Sequence, residues 1–137
     1  RAQEAIFGFT VANDVTADGD WGADDMIRAK GSDTFCPLGP WMVTHFSVAE
    51  AGNVRLRTTV DGTVCQESST SEMIRSVSEL VSEISSRLTL LPGDVILTGT
   101  PAGAAPVVPR QQVEVEIEGI GTLVNSVVAG QNAVVEG

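Results

Sequence analysis

A short acidic segment near the start of the chain holds the side chains most able to do chemistry. The stretch NDVTADGDWGADDM, residues 13–26, contains no basic residue and five aspartates: Asp14, Asp18, Asp20, Asp24 and Asp25. Carboxylates repel one another when they are crowded away from water, so such a cluster either binds a cation or faces solvent. The segment therefore predicts a structural calcium site, a catalytic metal site or a solvated loop.

The spacing of these aspartates partly matches a calcium-binding EF-hand loop that starts at Asp14. However, the last ligand position carries Asp25 where the EF-hand has a bidentate glutamate. The preceding residues, AIFGFTV, are typical of a strand, whereas an EF-hand needs an entering helix. We therefore interpret four aspartates as a solvated acidic loop: Asp18, Asp20, Asp24 and Asp25.

Asp14 differs from its acidic neighbours because it closely follows a predicted buried strand. Residues 5–11 are short and apolar, and Gly8 marks a point where close packing excludes a side chain. A carboxylate at the end of such a strand can be held rigidly against a cleft. We expect Asp14 to point inward, into such a cleft.

Other segments predict a sheet-rich chain. Residues 54–66 alternate in polarity around the tight-turn pair Asp61-Gly62, which predicts a β-hairpin. Residues 95–99, VILTG, form an apolar run that predicts a buried strand before the small-residue loop TGTPAGAAP. Residues 113–128 predict two further strands joined by a Gly-Ile-Gly turn.

One main helix is predicted from Ser69 to Leu88. Ser69 and Glu72 match a capping box, and apolar residues follow at helical spacing in one stripe: Ile74, Val77, Val81, Ile84 and Leu88. The strands and this helix together predict an α+β, β-rich fold. Residues 1–137 are expected to form a single domain.

Composition narrows the possible partners. The net charge of −10 argues against binding to nucleic acid or to an anionic membrane. Cys36 and Cys65 form no CxxC pair and no disulfide framework, and His45 is the only histidine. We expect a cytoplasmic protein, with no signal peptide and no membrane-spanning segment.

Several segments, in their order and spacing, resemble the catalytic domain of the fumarylacetoacetate hydrolase family. They are FGFTVANDVTA, RAKGSDTFCPLGPW, STSEMI, LLPGDVILTGTPAG and VEVEIEGIGTLVN. The family includes acylpyruvate hydrolases, oxaloacetate decarboxylases and hydroxymuconate-type isomerases. The resemblance implies a mixed β-sheet domain with one main helix and, by analogy, a homodimer or pairing with another chain.

The resemblance implies roles for three residues. Family members bind Mg²⁺ or Mn²⁺ through three carboxylates, one of which matches Asp14, and oxygen ligands suit such hard ions. Lys30 matches the active-site lysine and would stabilise an enolate, while Thr100 matches a threonine that binds the carboxylate of the substrate. The implied substrate is a small 2-oxo or 2-hydroxy-dienoic acid, which undergoes C–C hydrolysis, decarboxylation or isomerisation through a metal-stabilised enolate.

The chain also departs from the family pattern. Asp18 and Trp21 stand where the family has an arginine and a glutamine, and Ser69 replaces an asparagine. The Glu-x-Glu pair that supplies the other two metal ligands precedes the Asn-Asp motif in the family, and only thirteen residues precede Asp14 here. Two interpretations stay open: a piece of a longer metal enzyme, or a non-catalytic relative that serves as a binding or assembly module.

A second acidic group does not replace the missing ligands. Glu114, Glu116 and Glu118 share one face of a predicted strand and alternate with apolar residues. This periodicity is typical of a half-exposed strand, so we interpret the three carboxylates as a solvated face.

Overall fold

The computed structural model describes residues 2–19 and 25–129, and within these ranges it has six strands and three α-helices. The strands are β1 (Phe9–Ala12), β2 (Leu38–Val43), β3 (Arg55–Val60), β4 (Thr63–Ser69), β5 (Gln112–Ile117) and β6 (Gly121–Ser126). The helices are α1 (Met26–Lys30), α2 (Val48–Ala51) and α3 (Val77–Ser85), with 3-10 turns at Gln3–Ala5 and Thr70–Glu72. The predicted α+β, β-rich fold class is confirmed.

The strands form two antiparallel sheets. β1 pairs with β2, and the larger sheet has the order β4-β3-β5-β6. The β3–β4 hairpin turns at Asp61 and Gly62, whose φ angles of 48° and 77° are both left-handed, as the Asp-Gly pair predicts. The hairpin and the predicted strand pair β5–β6 are therefore confirmed.

The core lies where the small sheet packs on the β5–β6 end of the larger one. Val11 of β1 is completely buried, and it belongs to a buried apolar cluster with Val43, Val113, Val115, Ile120 and Leu123. A Cβ on Gly8 would lie 2.6 Å from the carbonyl oxygen of Val43, so this glycine does permit a close approach. The strand itself begins at Phe9, later than predicted, because residues 3–5 form a 3-10 turn.

The predicted helix from Ser69 to Leu88 is wrong at both ends, because α3 is confined to Val77–Ser85. Its capping box is formed by Ser76 and Glu79: the hydroxyl of Ser76 accepts from the Glu79 amide, and the Glu79 carboxylate accepts from the Ser76 amide. Ile74 is 98% exposed, so it lies outside the buried stripe.

The contacts of Thr70 explain why the helix does not start at Ser69. The Thr70 amide donates to the carbonyl of Val54, and its hydroxyl donates to the carbonyl of Ala51. These bonds hold the end of β4 beside the segment that enters β3. Ser69 caps only the short 3-10 turn, by accepting from the Ser71 amide.

The predicted strand at residues 95–99 is also wrong. No strand is assigned there, and Val95 and Leu97 are 54% and 39% exposed. An apolar run becomes a buried strand only where a neighbouring strand and a covering layer exist, and the described residues supply neither for this segment.

Many large apolar side chains are exposed. They are Phe7, Met26, Ile27, Leu38, Trp41, Met42, Val64, Ile74, Leu88, Leu91, Val95, Leu97, Val108, Val124 and Val128. None of the helices in the described ranges is long and apolar enough to cross a membrane.

Candidate active site

Asp14 and Lys30 lie in direct contact beside the end of β1. Asp14 is the second residue after β1, and Lys30 is the last residue of α1. The Lys30 Nζ donates to Asp14 Oδ2 at 2.6 Å and to Thr16 Oγ1 at 3.0 Å. The structure thus brings together the first two residues that the sequence singles out.

Backbone hydrogen bonds fix the loop that carries Asp14. The Ala17 amide donates to the carbonyl of Ala29 at 2.7 Å, which ties the loop to α1 one residue before Lys30. The Asn13 amide donates to the carbonyl of Pro37 at 3.1 Å, next to the start of β2. Since Ala29 is buried, α1 is anchored against the loop, and the Lys30 ammonium is held over Asp14.

The Asp14–Lys30 pair is half-buried. The side chain of Lys30 is 30% exposed and that of Asp14 is 44% exposed. An ion pair this accessible to water adds only about 0–1 kcal/mol to stability. The contact therefore contributes little to the fold, and a small anion can still approach the ammonium from solvent. Lys30 is also the only lysine of the chain.

The described residues supply one carboxylate, not a full set of metal ligands. Within residues 2–19 and 25–129, no three His, Cys, Asp or Glu side chains are grouped so as to hold an ion. Mg²⁺ and Mn²⁺ prefer several oxygen ligands, so Asp14 fits a divalent ion only as one member of a larger set. β1 occupies the place of the entering helix of an EF-hand, so the EF-hand match is wrong. Asp20 and Asp24 lie outside the described residues.

Thr100 lies in the loop after residues 95–99 and contacts β4. Its Oγ1 accepts a hydrogen bond from Gln66 Nε2 at 2.8 Å, and the same Nε2 lies 2.7 Å from the carbonyl oxygen of Pro101. In the part of the chain that the structure describes, no hydrogen bond joins Thr100 to Asp14 or Lys30. The third predicted residue is therefore held by a different strand.

Two clefts of the described chain lie away from these residues. One, of about 220 Å³, is lined by residues that include Phe7, Phe9 and Phe46. The other, of about 580 Å³, lies over β3 and β5 beside Arg57 and Glu116. Neither cleft is lined by Asp14, Lys30 or Thr100. The inward orientation of Asp14 toward a cleft stays a prediction.

Glu116 of β5 and Glu118, which follows the strand, are surface residues, as predicted. Glu116 accepts from Arg57 of β3 at 2.8 Å, and Glu118 lies 3.7 Å from Arg55. Val113 and Val115 are buried on the opposite face of the strand. The solvated-face interpretation is confirmed for Glu116 and Glu118, whereas Glu114 is half-buried.

Two residues of the candidate site escaped the sequence reasoning. Thr16 shares the ammonium of Lys30, and Gln66 holds the loop of Thr100. The one available signal for Gln66 was its place in the alternation of a hairpin strand. In the structure this position faces inward, and Gln66 is only 8% exposed. Thr16 lies within the motif FGFTVANDVTA, but the sequence analysis assigned it no role.

The family is shown by comparison with known proteins. The fumarylacetoacetate (FAA) hydrolase C-terminal family model matches residues 1–128. The match covers the α+β fold and the residues beside β1. The chain is a member of the fumarylacetoacetate hydrolase family.

Individual relatives support the assignment. The structure is similar to that of 5-carboxymethyl-2-hydroxymuconate delta-isomerase from Mycobacterium smegmatis, with a TM-score of 0.83 and 47% identity over 96% of this chain and 52% of that chain. It is also similar to maleylpyruvate hydrolase from Sphingobium sp. SYK-6 in complex with manganese(II) ion and pyruvate, with a TM-score of 0.84 and 29% identity over 95% of this chain and 47% of that chain.

A curated bifunctional enzyme also matches most of the chain. It is the 4-hydroxyphenylacetate degradation bifunctional isomerase/decarboxylase of Salmonella dublin, which is 42% identical over 97% of this chain and 32% of its own length. The chain spans about half, or less, of the length of the curated relatives that it matches.

Proposed function

We propose that this chain forms part of a divalent-metal-dependent enzyme that hydrolyses, isomerises or decarboxylates a small 2-oxo or 2-hydroxy-dienoic acid. The observation that carries the proposal is the 2.6 Å contact between Lys30 and Asp14 beside β1, in a family whose relatives include an isomerase and a hydrolase. The manganese ion and pyruvate in the Sphingobium complex support both the metal and the 2-oxo acid.

Asp14 would ligate Mg²⁺ or Mn²⁺ through one of its oxygens. Lys30 engages Oδ2, and within the described chain Oδ1 has no hydrogen-bond partner, so Oδ1 is the oxygen open to a cation. The remaining ligands would lie outside the described residues, because one carboxylate cannot replace the hydration shell of Mg²⁺. When bound, the ion would supply Lewis-acid polarisation of a 2-oxo group.

Lys30 would stabilise the negative charge that develops on the substrate oxygen. Its ammonium is positioned beforehand by Asp14 and Thr16, so little reorganisation is needed when the charge appears. Its partial burial strengthens the attraction relative to a fully exposed lysine. Thr100 would bind the carboxylate of the substrate through its exposed hydroxyl.

A non-catalytic binding or assembly module is the second candidate. It is favoured by the single carboxylate in the described site and by the exposed Asp18, which stands where family members have an arginine. A negative charge there would repel an anionic substrate.

We also propose that the chain pairs with a second copy of itself. The support is the large number of exposed apolar side chains in the described residues, Trp41 and Met42 of β2 among them, since exposed apolar surface marks protein contacts. Sedimentation analysis of the unsubstituted chain and of Trp41→Asp tests this pairing. A dimer that dissociates on substitution supports the proposal, and a monomeric unsubstituted chain contradicts it.

Isothermal titration with Mg²⁺ and oxalate, a mimic of an enolate, separates the enzyme from the module. We expect micromolar, metal-dependent oxalate binding that disappears in Asp14→Ala. The matched control is Asp33→Ala, which removes another exposed carboxylate, one that is not assigned to the site. If the unsubstituted chain binds no oxalate, the binding or assembly module is the better description.

A further inference from the structure

Gln66 is a buried polar residue that bridges β4 and the loop of Thr100. It is 8% exposed, and its side-chain nitrogen is within hydrogen-bond distance of two oxygens, Oγ1 of Thr100 and the carbonyl oxygen of Pro101. A side-chain amide NH₂ has two hydrogens to donate. Both hydrogens of Gln66 are therefore used to hold this loop.

The carbonyl of Pro101 fixes the orientation of the amide. A backbone carbonyl oxygen can only accept, so the Gln66 atom that faces it at 2.7 Å must be the nitrogen and not the oxygen. The same nitrogen faces the Thr100 hydroxyl at 2.8 Å, which makes that hydroxyl an acceptor from Gln66. The direction of the bond follows from chemistry as well as from distance.

This direction determines what the Thr100 hydroxyl can still do. A hydroxyl has one hydrogen and two acceptor sites, and Gln66 occupies one acceptor site. Among the hydrogen bonds of the described residues, Thr100 Oγ1 donates none, and Thr100 is exposed. Its hydrogen is therefore available to an acceptor that comes from solvent.

A second contact seats the same loop on β4. Gly103 has φ of +101°, and a Cβ at this position would overlap the carbonyl oxygen of Cys65, the neighbour of Gln66. Only glycine combines this backbone conformation with so close an approach. The loop is thus held against β4 at both Cys65 and Gln66.

From these contacts we infer that Gln66 is a positioning residue that orients the Thr100 hydroxyl as a hydrogen-bond donor toward the carboxylate of a bound ligand. This inference rests on the proposed function, in which Thr100 binds that carboxylate. Gln66 itself does not touch the ligand. Its effect on binding passes through the hydroxyl of Thr100.

A double-mutant cycle tests the inference, with oxalate as the probe in the presence of Mn²⁺. Gln66→Met removes the donor at similar side-chain length, and Thr100→Val removes the hydroxyl at similar volume. We expect each single substitution to weaken oxalate binding about three- to tenfold, the range of one lost hydrogen bond. The double variant should bind no more weakly than Thr100→Val, because no hydroxyl remains to be oriented.

Gln112→Met is the matched control, since Gln112 is an exposed glutamine of β5 outside the site. Equal losses from Gln66→Met with and without the Thr100 hydroxyl would indicate a general structural role and overturn the inference. If the unsubstituted chain binds no oxalate, the proposed function fails, and the ligand-directed role of Gln66 fails with it.

An NMR measurement remains decisive even if Gln66→Met does not fold. The two side-chain NH₂ protons of Gln66 are compared between the unsubstituted chain and Thr100→Val, which changes an exposed residue. We expect one of the two proton resonances to move upfield because its acceptor is lost, while the proton that faces Pro101 stays in place. Two unchanged resonances would contradict the contact on which the inference depends.

Discussion

The substitution Lys30→Met tests whether Lys30 serves ligand binding or the stability of the fold. The substitution removes the ammonium and keeps most of the apolar stem. Because the side chains of the ion pair are 30% and 44% exposed, we expect the free energy of unfolding to fall by less than about 1 kcal/mol. The affinity for oxalate in the presence of Mg²⁺ should fall by a larger free energy.

The size of the binding effect follows from the exposure of the ammonium. A unit charge about 4 Å from an anion contributes about 1 kcal/mol in water and about 4 kcal/mol at the effective dielectric constant of a protein surface. Lys30 lies between these limits, since 30% of its side chain is exposed. Oxalate should therefore bind about 5-fold to about 1000-fold more weakly to Lys30→Met.

Arg57→Met is the matched control for this substitution. Arg57 forms a comparable ion pair with Glu116, at 2.8 Å and with both side chains 48% exposed, on the larger sheet. Both substitutions remove one positive charge from a chain of net charge −10, so any change in the general repulsion of the anion is the same in the two variants. Calorimetric titration gives the affinities, and urea unfolding gives the stabilities. Equal affinities for the two variants would refute the role of Lys30.

Three further predictions concern the fold and its pH dependence. Val11→Ala should lower the free energy of unfolding in urea by about 2–3 kcal/mol, because two methyl groups and a filled core site are lost, whereas Val124→Ala, at 48% exposure, should cost under about 1 kcal/mol. Ser76→Ala should cost about 1 kcal/mol through loss of the α3 cap, measured by the same unfolding. Hydrogen bonds from the backbone amide and hydroxyl of Ser76 lower the pKa of Glu79 from its ordinary value, so the stabilisation is present above the ordinary pKa and lost as pH falls through the lowered pKa. Glu79→Gln should remove this part of the acid dependence of the unfolding midpoint, and an unchanged dependence would contradict the assignment.

Local signals predicted the elements whose causes lie within a few residues. The Asp61-Gly62 turn follows from backbone sterics, since this pair tolerates left-handed φ at both positions. The alternation of Val113 and Val115 with glutamates predicted which face of β5 is buried. Such features depend little on the rest of the chain, so the sequence was sufficient for them.

Long-range contacts decided the elements that the sequence misassigned. Two Ser-x-x-Glu boxes, one starting at Ser69 and one at Ser76, lie near the start of the predicted helix, and both satisfy the same local rule. The bonds from Thr70 to Ala51 and Val54 exclude a helix start at the first box. Residues 95–99 are apolar enough for a strand, but strand formation also needs a neighbour with free backbone groups.

For the candidate site, too, the sequence determined one part and the tertiary structure the other. The sequence by itself determined which residue types could do chemistry, because Asp14, Lys30 and Thr100 lie in recognisable motifs. Only the tertiary structure decided that Lys30 contacts Asp14 across sixteen residues and that Gln66 reaches Thr100 across thirty-four. The physical reason is that chemical type belongs to each residue alone, whereas a hydrogen bond of about 3 Å requires separate segments to be packed together.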